Sequence, residues 1–326
     1  MSDGADQGSA ENQLGQGAAM SNPLAGIRVL DFMTLLPGPL ATLLLAEAGA
    51  EVIKIEHPDG ENMRRLNPYW GKESVMFAML NRGKKSVAAD LKDPRVRDRI
   101  LALAKTADVV VEQFRPGVMD RLGLGYGALS AINPKIIYCA ITGYGQSGPR
   151  STRAGHDLNY IGDAGLLALS SGPAGHRTVP PALIADIAGG SYPAVMNILL
   201  ALRRRDAKGE GTFIDVSMTE SVFPFVYWAI GAGLGAGAWP KDGGDRITGG
   251  SPRYHLYETR DGKVAAIAAL DDPQFKARGR FAAKLVNEKG ETLPAIPVPI
   301  DKPLRPGAAT DASAPALGAH NTEFGF

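Results

Sequence analysis

Two segments of the chain, Asp108–Glu112 and Ile136–Thr142, are apolar almost without interruption. A strand with one wet face would alternate apolar and polar residues, so these runs predict strands covered on both sides. Further strand-like segments at Ile27–Asp31, Glu51–Glu56, Lys85–Ala89 and Gly211–Ser217 are separated by helical stretches at Leu40–Ala48, Pro94–Thr106 and Leu183–Arg204. Strands separated by helices imply βαβ crossovers, which place helices on both faces of a parallel sheet. The expected fold is therefore α/β: a Rossmann-like parallel sheet in a large domain, with a second, smaller domain behind it.

Residues 1–22 are small and polar with no apolar period, and are expected to form a disordered leader that cannot repay the entropy of ordering. The large domain is assigned to residues 23–230, a connector and shortened small domain to 231–292, and an irregular C-terminal return segment to 293–326. Gly189-Gly190 is expected to open the long helix, and the glycine-rich stretch 231–237 to serve as a connector or a close helix approach. Tyr254–Thr259 and Lys263–Ala269, flanking Arg260-Asp261-Gly262, carry a hairpin signal.

Several function classes are disfavoured. Thirty-five Lys and Arg against 34 Asp and Glu leave a formal charge of +1, so no global field recruits nucleic acid or an anionic membrane. The single cysteine, Cys139, allows no internal disulfide, and no Cys/His spacing suggests a metal site. A reducing cytoplasm is the expected compartment. The runs Leu40–Ala46 and Val109–Val111 fall far short of the ~20 apolar residues that span a bilayer, so no membrane insertion is expected. The loop after the first strand, Thr34-Leu35-Leu36-Pro37-Gly38-Pro39, lacks the dinucleotide fingerprint, and neither a P-loop nor a Gly-x-Ser-x-Gly elbow occurs.

Three features carry chemistry. Cations cluster near the predicted strand ends: Lys54, Arg64, Arg65, Arg82, Lys84, Lys85 and Arg115. Ligands of open α/β sheets bind at the carboxyl ends of strands, where such groups would hold a polyphosphate, although each taken singly is equally a solvated surface charge. Gly155-His156-Asp157 sets a histidine beside an acid in a loop that opens a helix, which suits a general base or an inert hydrogen-bonded histidine. Asp186 lies among apolar residues ahead of Gly189-Gly190, where a carboxylate is either functional or a helix N-cap, and the glycines, which would let a ligand approach the backbone closely, favour function.

Five ordered motifs complete the pattern: residues 23–31 (PLAGIRVLD), 49–56 (GAEVIKIE), 81–86 (NRGKKS), 114–117 (FRPG) and 142–149 (TGYGQSGP). Together they resemble family III of the CoA-transferases, which also contains α-methylacyl-CoA racemase, over about residues 23–270. The resemblance implies a dimer of interlocked rings and an acyl-CoA substrate, with coenzyme A as part of that substrate and no permanently bound cofactor. It implies that Asp186 is the transferases' nucleophile toward the thioester, or one acid/base of a racemase whose other is His156 of Gly155-His156-Asp157. Lys54, Arg64, Arg82, Lys84 and Arg115 become candidate CoA contacts.

The pattern departs from the family after Leu270, where an acidic residue and several small-domain helices are expected and the text runs directly into Asp271-Asp272-Pro273. Asp271 either replaces the glutamate that partners the racemase histidine, or that residue is lost with part of the small domain, which is the favoured alternative. The leading expectation is a racemase acting on a 2-methylacyl-CoA through an enolate, and the alternative a CoA-transferase. A third is a catalytically impaired CoA-binding subunit that pairs with a complete paralogue, whereas the enzyme readings expect a homodimer.

Overall fold

The computed structural model describes residues 22–170, 178–241 and 315–326, and between these residues 243, 248, 256, 262, 284–287, 289–294 and 311–312. Six strands form one parallel sheet: β1 (Arg28–Asp31), β2 (Glu51–Glu56), β3 (Lys85–Ala88), β4 (Val109–Glu112), β5 (Ile137–Thr142) and β6 (Thr212–Ser217). Their spatial order, β3-β2-β1-β4-β5-β6, is the doubly wound order in which the chain reverses direction of growth between β1 and β4. The expected parallel Rossmann-like sheet is present.

The apolar runs are explained by coverage on both faces. Val109 and Val111 of β4 and Ile137, Cys139 and Ile141 of β5 pack with Leu45 of α1 (Pro37–Glu47). Their alternate neighbours Val110, Tyr138 and Ala140 face the opposite layer, with Ile100 of α2 (Pro94–Ala104) and Leu129 of α3 (Tyr126–Ile132). Because successive side chains of a strand point to opposite faces, a strand between two helical layers must be apolar at every position.

Gly189-Gly190 does not open the long helix. A π-helical segment, Ala185–Ser191, leads directly into α5 (Tyr192–Lys208), so the glycines lie inside one continuous helical path. By length and composition this 24-residue path could cross a bilayer. It instead lays Ala194, Ile198, Ala201 and Leu202 into the core beneath the sheet. The stretch after β6 is a 3-10 turn, Glu220–Val226, followed by α6 (Tyr227–Ala236), which runs across the boundary expected at residue 230 and stops at Gly237 with φ +66°. A Cβ on Gly233 would lie 2.5 Å from the Trp239 ring, so this stretch is a helix with a close approach rather than a connector.

Among the described residues, part of the segment expected to be irregular is regular. The helical turn Asn321–Phe324 sits on the edge strand β3, where Asn321 Oδ1 accepts from the Ala88 N–H at 2.8 Å and the His320 N–H donates to Ser86 O at 3.0 Å. An exposed strand edge invites unwanted pairing, and this segment covers it. A small three-stranded sheet is formed by Lys284–Val286, Thr292–Pro294 and Asp311–Ala312. Asp271 and the hairpin expected around residue 261 lie outside the described residues.

Candidate active site

At the carboxyl ends of β1, β4 and β5 lies a cleft of about 530 Å³. It is bounded by Leu35 and Pro37 after β1, Gln113–Pro116 after β4, the β5 terminus at Thr142-Gly143, and Met218 after β6. This is the crevice that a doubly wound sheet leaves where its strand order reverses. Leu35 holds φ +60°, a left-handed conformation that costs a bulky residue energy, so the surrounding loop must impose it.

Two chemically capable side chains open onto the cleft. His156 precedes α4 (Asp157–Asp163), its backbone N–H donating to Asn159 Oδ1 at 3.0 Å. Asp186 is in the first turn of the π segment, whose N-cap position falls to Ile184, so it is not the N-cap. The start of α4 and the π segment are tied together by Asp157, whose buried Oδ1 accepts the Asp186 N–H at 3.0 Å. Burial raises the Asp186 carboxyl to about 6; the Asp157 charge adds to that rise and His156 opposes it.

Tyr160 is a cleft residue that sequence reasoning did not single out. Its ring occupies the space left by two glycines: a Cβ on Gly143 would lie 2.3 Å from it and one on Gly155 2.6 Å. Its hydroxyl donates to Gly155 O. Burial and the Asp186 charge push the phenol up to about 12, so it stays protonated. The signal was present in the spacing, since Tyr160 follows His156 by one helical turn and shares its side of α4.

The expected CoA contacts separate. Arg115 is exposed and lines the cleft, as does Arg153 from the loop carrying His156. Glu112 steadies the Arg115 loop by accepting the Phe114 N–H at 2.6 Å, and burial raises its carboxyl to about 7. Lys54, Arg64, Arg82 and Lys84 do not reach the cleft. Lys84 Nζ is fully buried against Asp31 Oδ2 (3.1 Å), Thr42 Oγ1 (2.8 Å), Asn81 Oδ1 (2.9 Å) and Pro39 O (3.0 Å). Lys54 Nζ donates to Met33 O at 2.6 Å and pairs with Glu61 at 3.4 Å. Arg64 forks onto Glu56, and Arg82 is buried against Glu47. Spacing along the chain locates a cation near a strand end but cannot tell a ligand contact from a buried ion pair, because the partner carboxylates come from other elements.

The glycines beside Asp186 also serve neighbours rather than a ligand. A Cβ on Gly189 would lie 2.5 Å from Met218 O, and one on Gly190 3.1 Å from the Pro37 side chain; neither glycine lines the cleft. Among the described residues no group of three His, Cys, Asp or Glu side chains is arranged to hold a metal.

The raised Asp186 carboxyl has a stability consequence. Between its ordinary value of 3.8 and about 6 the folded state binds more proton than the unfolded state, so stability falls as pH rises through that window. Asp186→Asn is therefore expected to raise the melting temperature at pH 7.5 by about 2 °C or more, and by less at pH 4. Scanning calorimetry at both pH values checks this, and equal shifts at the two would contradict it.

A family model described as CoA-transferase family III matches residues 24–282. The chain is 37% identical over 255 residues to succinyl-CoA:glutarate CoA-transferase of Mus musculus, covering 78% of this chain and 58% of that protein. It is also 37% identical over 279 residues to α-methylacyl-CoA racemase of Mus musculus, covering 83% of this chain and 67% of that protein. The crystal structure of a CAIB/BAIF family protein from Brucella suis superposes with a TM-score of 0.80 at 26% identity, covering 93% of this chain and 98% of that one.

Proposed function

Because the chain belongs to CoA-transferase family III, we propose that it acts on an acyl-CoA, exchanging the α-proton of a 2-methylacyl thioester through an enolate. The observation that carries this reading is the pairing of Asp186, raised to about 6, with the His156 imidazole on one cleft. Proton transfer is most efficient when the acid and base titrate near the working pH. A carboxyl at its ordinary value would be too weak a base to draw a proton from carbon at a useful rate.

In this mechanism one of the two groups takes the α-proton while the electron pair moves onto the thioester oxygen. The other returns a proton to the carbon from the opposite face, inverting the centre. Arg115 faces the CoA phosphates. Among the five cations that the resemblance makes candidate CoA contacts it alone lines the cleft, and the other four already have carboxylate partners.

A second reading, CoA transfer, is supported by the equal 37% identity to a CoA-transferase. There the Asp186 carboxylate attacks the thioester carbonyl and expels CoA thiolate, leaving a mixed anhydride. The thiolate then attacks the aspartyl carbonyl, releasing the first acid and forming an aspartyl-CoA thioester. An acceptor carboxylate takes the CoA by the reverse sequence.

Incubation with a 2-methylacyl-CoA in deuterated water distinguishes these readings. Deuterium at the α-carbon without an acceptor acid supports racemisation, and acceptor-dependent CoA movement without exchange supports transfer. CoA binding with neither reaction contradicts both. Arg115→Ala is expected to weaken CoA binding roughly tenfold or more, the scale of one charge-assisted phosphate contact. Unchanged affinity by calorimetry would remove Arg115 from the site.

A further inference from the structure

The direction in which Asp186 enters the cleft depends on the π turn that carries it. A π turn adds one residue relative to an α-helix, and one residue corresponds to about 100° of rotation. The face of α5 is fixed by its buried residues Ala194, Ile198, Ala201 and Leu202. Relaxation of Ala185–Ser191 to α geometry would therefore swing Asp186 away from His156. Pro193 favours the wider turn, since its ring crowds the carbonyl four residues before it and it has no N–H to donate.

A second restraint acts through Ser191, which is fully buried. Its hydroxyl donates to Pro37 O at 2.6 Å, with the Asp186 carbonyl at 3.2 Å as a weaker second acceptor. One proton serves both, and the nearer acceptor holds it. Pro37 opens α1 where the preceding loop walls the cleft, and that junction is pinned from below. The Met33 N–H donates to Asp31 Oδ1 at 2.9 Å, Lys54 donates to Met33 O, and Lys84 donates to Pro39 O. Thr42 Oγ1 donates to Asp31 Oδ2 at 2.6 Å and closes the cluster. Asp31, Thr42 and Lys54 are fully buried, and so is the Lys84 side chain.

We propose that Ser191 is a positioning residue: its hydroxyl locks the π turn to the Pro37 loop and so sets the direction of Asp186, with the buried Asp31–Lys84–Lys54 cluster as the anchor. The functional weight of this inference rests on Asp186 being the reacting carboxylate, while the geometric link does not. Lysines expected to hold phosphate would instead act at a distance, through backbone carbonyls and one serine. Among the described residues, Asp157 at the start of α4 and His156 just before it act on the Asp186 charge, Tyr160 from α4 lies beside them, and Arg115 and Arg153 line the same cleft, so a rotation would change its proton affinity.

The test uses the full chain with carbon-13 in its aspartate carboxyls, the Asp186 signal being assigned by its loss in Asp186→Asn. In Ser191→Ala the Asp186 carboxyl is expected to titrate lower by about half a pH unit or more, as it leaves its desolvated position. Exchange at the α-carbon is expected to fall roughly tenfold or more, with CoA affinity by calorimetry unchanged. Thr42→Val, which loosens the anchor without touching the π turn, is expected to move the same carboxyl in the same direction by less. A titration that ignores both substitutions overturns the proposal. A titration that moves in Ser191→Ala, in a protein whose exchange survives Asp186→Asn, supports the link and overturns only the role given to Asp186.

Discussion

Asp186→Asn is expected to lower α-proton exchange at least about a thousandfold, the upper range for loss of one positioned acid/base. Asparagine keeps the shape of the side chain and removes the titrating group. The backbone bonds of Asp186 to Asp157 and Ser191 do not involve its carboxyl, so they should persist. CoA affinity should therefore survive, separating a lost reaction from a lost fold. In the parent protein, if the ionised carboxylate is the base, the rate should fall as pH drops through about 6, where Asp186 takes up its proton. The same substitution bears on transfer. Hydroxylamine would intercept an anhydride or thioester at Asp186 during acyl-CoA turnover, and a modified Asp186 peptide found by mass spectrometry would favour the transferase mechanism. Full exchange in the asparagine variant would rule out Asp186 in both.

His156→Ala separates the two chemistries. Racemisation needs the imidazole to give or take a proton at carbon, so exchange should fall by roughly 10²–10⁴-fold in at least one stereochemical direction. Anhydride formation at Asp186 requires no proton from that side, so transfer should be much less affected. Both enantiomers of a 2-methylacyl-CoA, followed by deuterium incorporation, provide the measurement. The pH dependence should change with the rate, because His156 opposes the rise of the Asp186 carboxyl. Removing its influence should move the acid limb upward. Exchange that persists unchanged in both directions would remove His156 from the reaction.

The separation of the expected contacts shows where pattern reading loses force. The places of His156, Asp157, Asp186 and Arg115 in the fold, though not their roles, were legible because each sits in a short local motif whose neighbours dictate its position: a loop before a helix, a helix start, a turn after an apolar strand. Lys54 and Lys84 share the same local signature, a cation near a strand end. Their chemistry is set by Glu61 and Asp31, which come from elsewhere in the chain. Burial leaves the Asp31 carboxyl disfavoured, yet Lys84 and Lys54 together hold it below its ordinary value, while burial draws the Lys84 ammonium down to about 8. A buried ammonium with a buried carboxylate partner is costly to separate. Such a pair cannot be read from charge and spacing alone.

Strand positions, their parallel direction and the burial of β4 and β5 on both faces follow from the sequence, because the period of apolar residues is a local property that packing between two helical layers reinforces. The motif text likewise identifies the family, and the places of His156 before a helix and of Asp186 near a helix start follow from it. Only the tertiary structure decided which cations face the cleft, that Gly189 and Gly190 accommodate Met218 and Pro37 rather than a ligand, and that Tyr160 fills the space beside Gly143 and Gly155. Most of these depend on contacts between segments distant in the chain, such as Gly190 with Pro37. A side chain's role there is set by the partner that folding delivers to it, not by its neighbours in the chain.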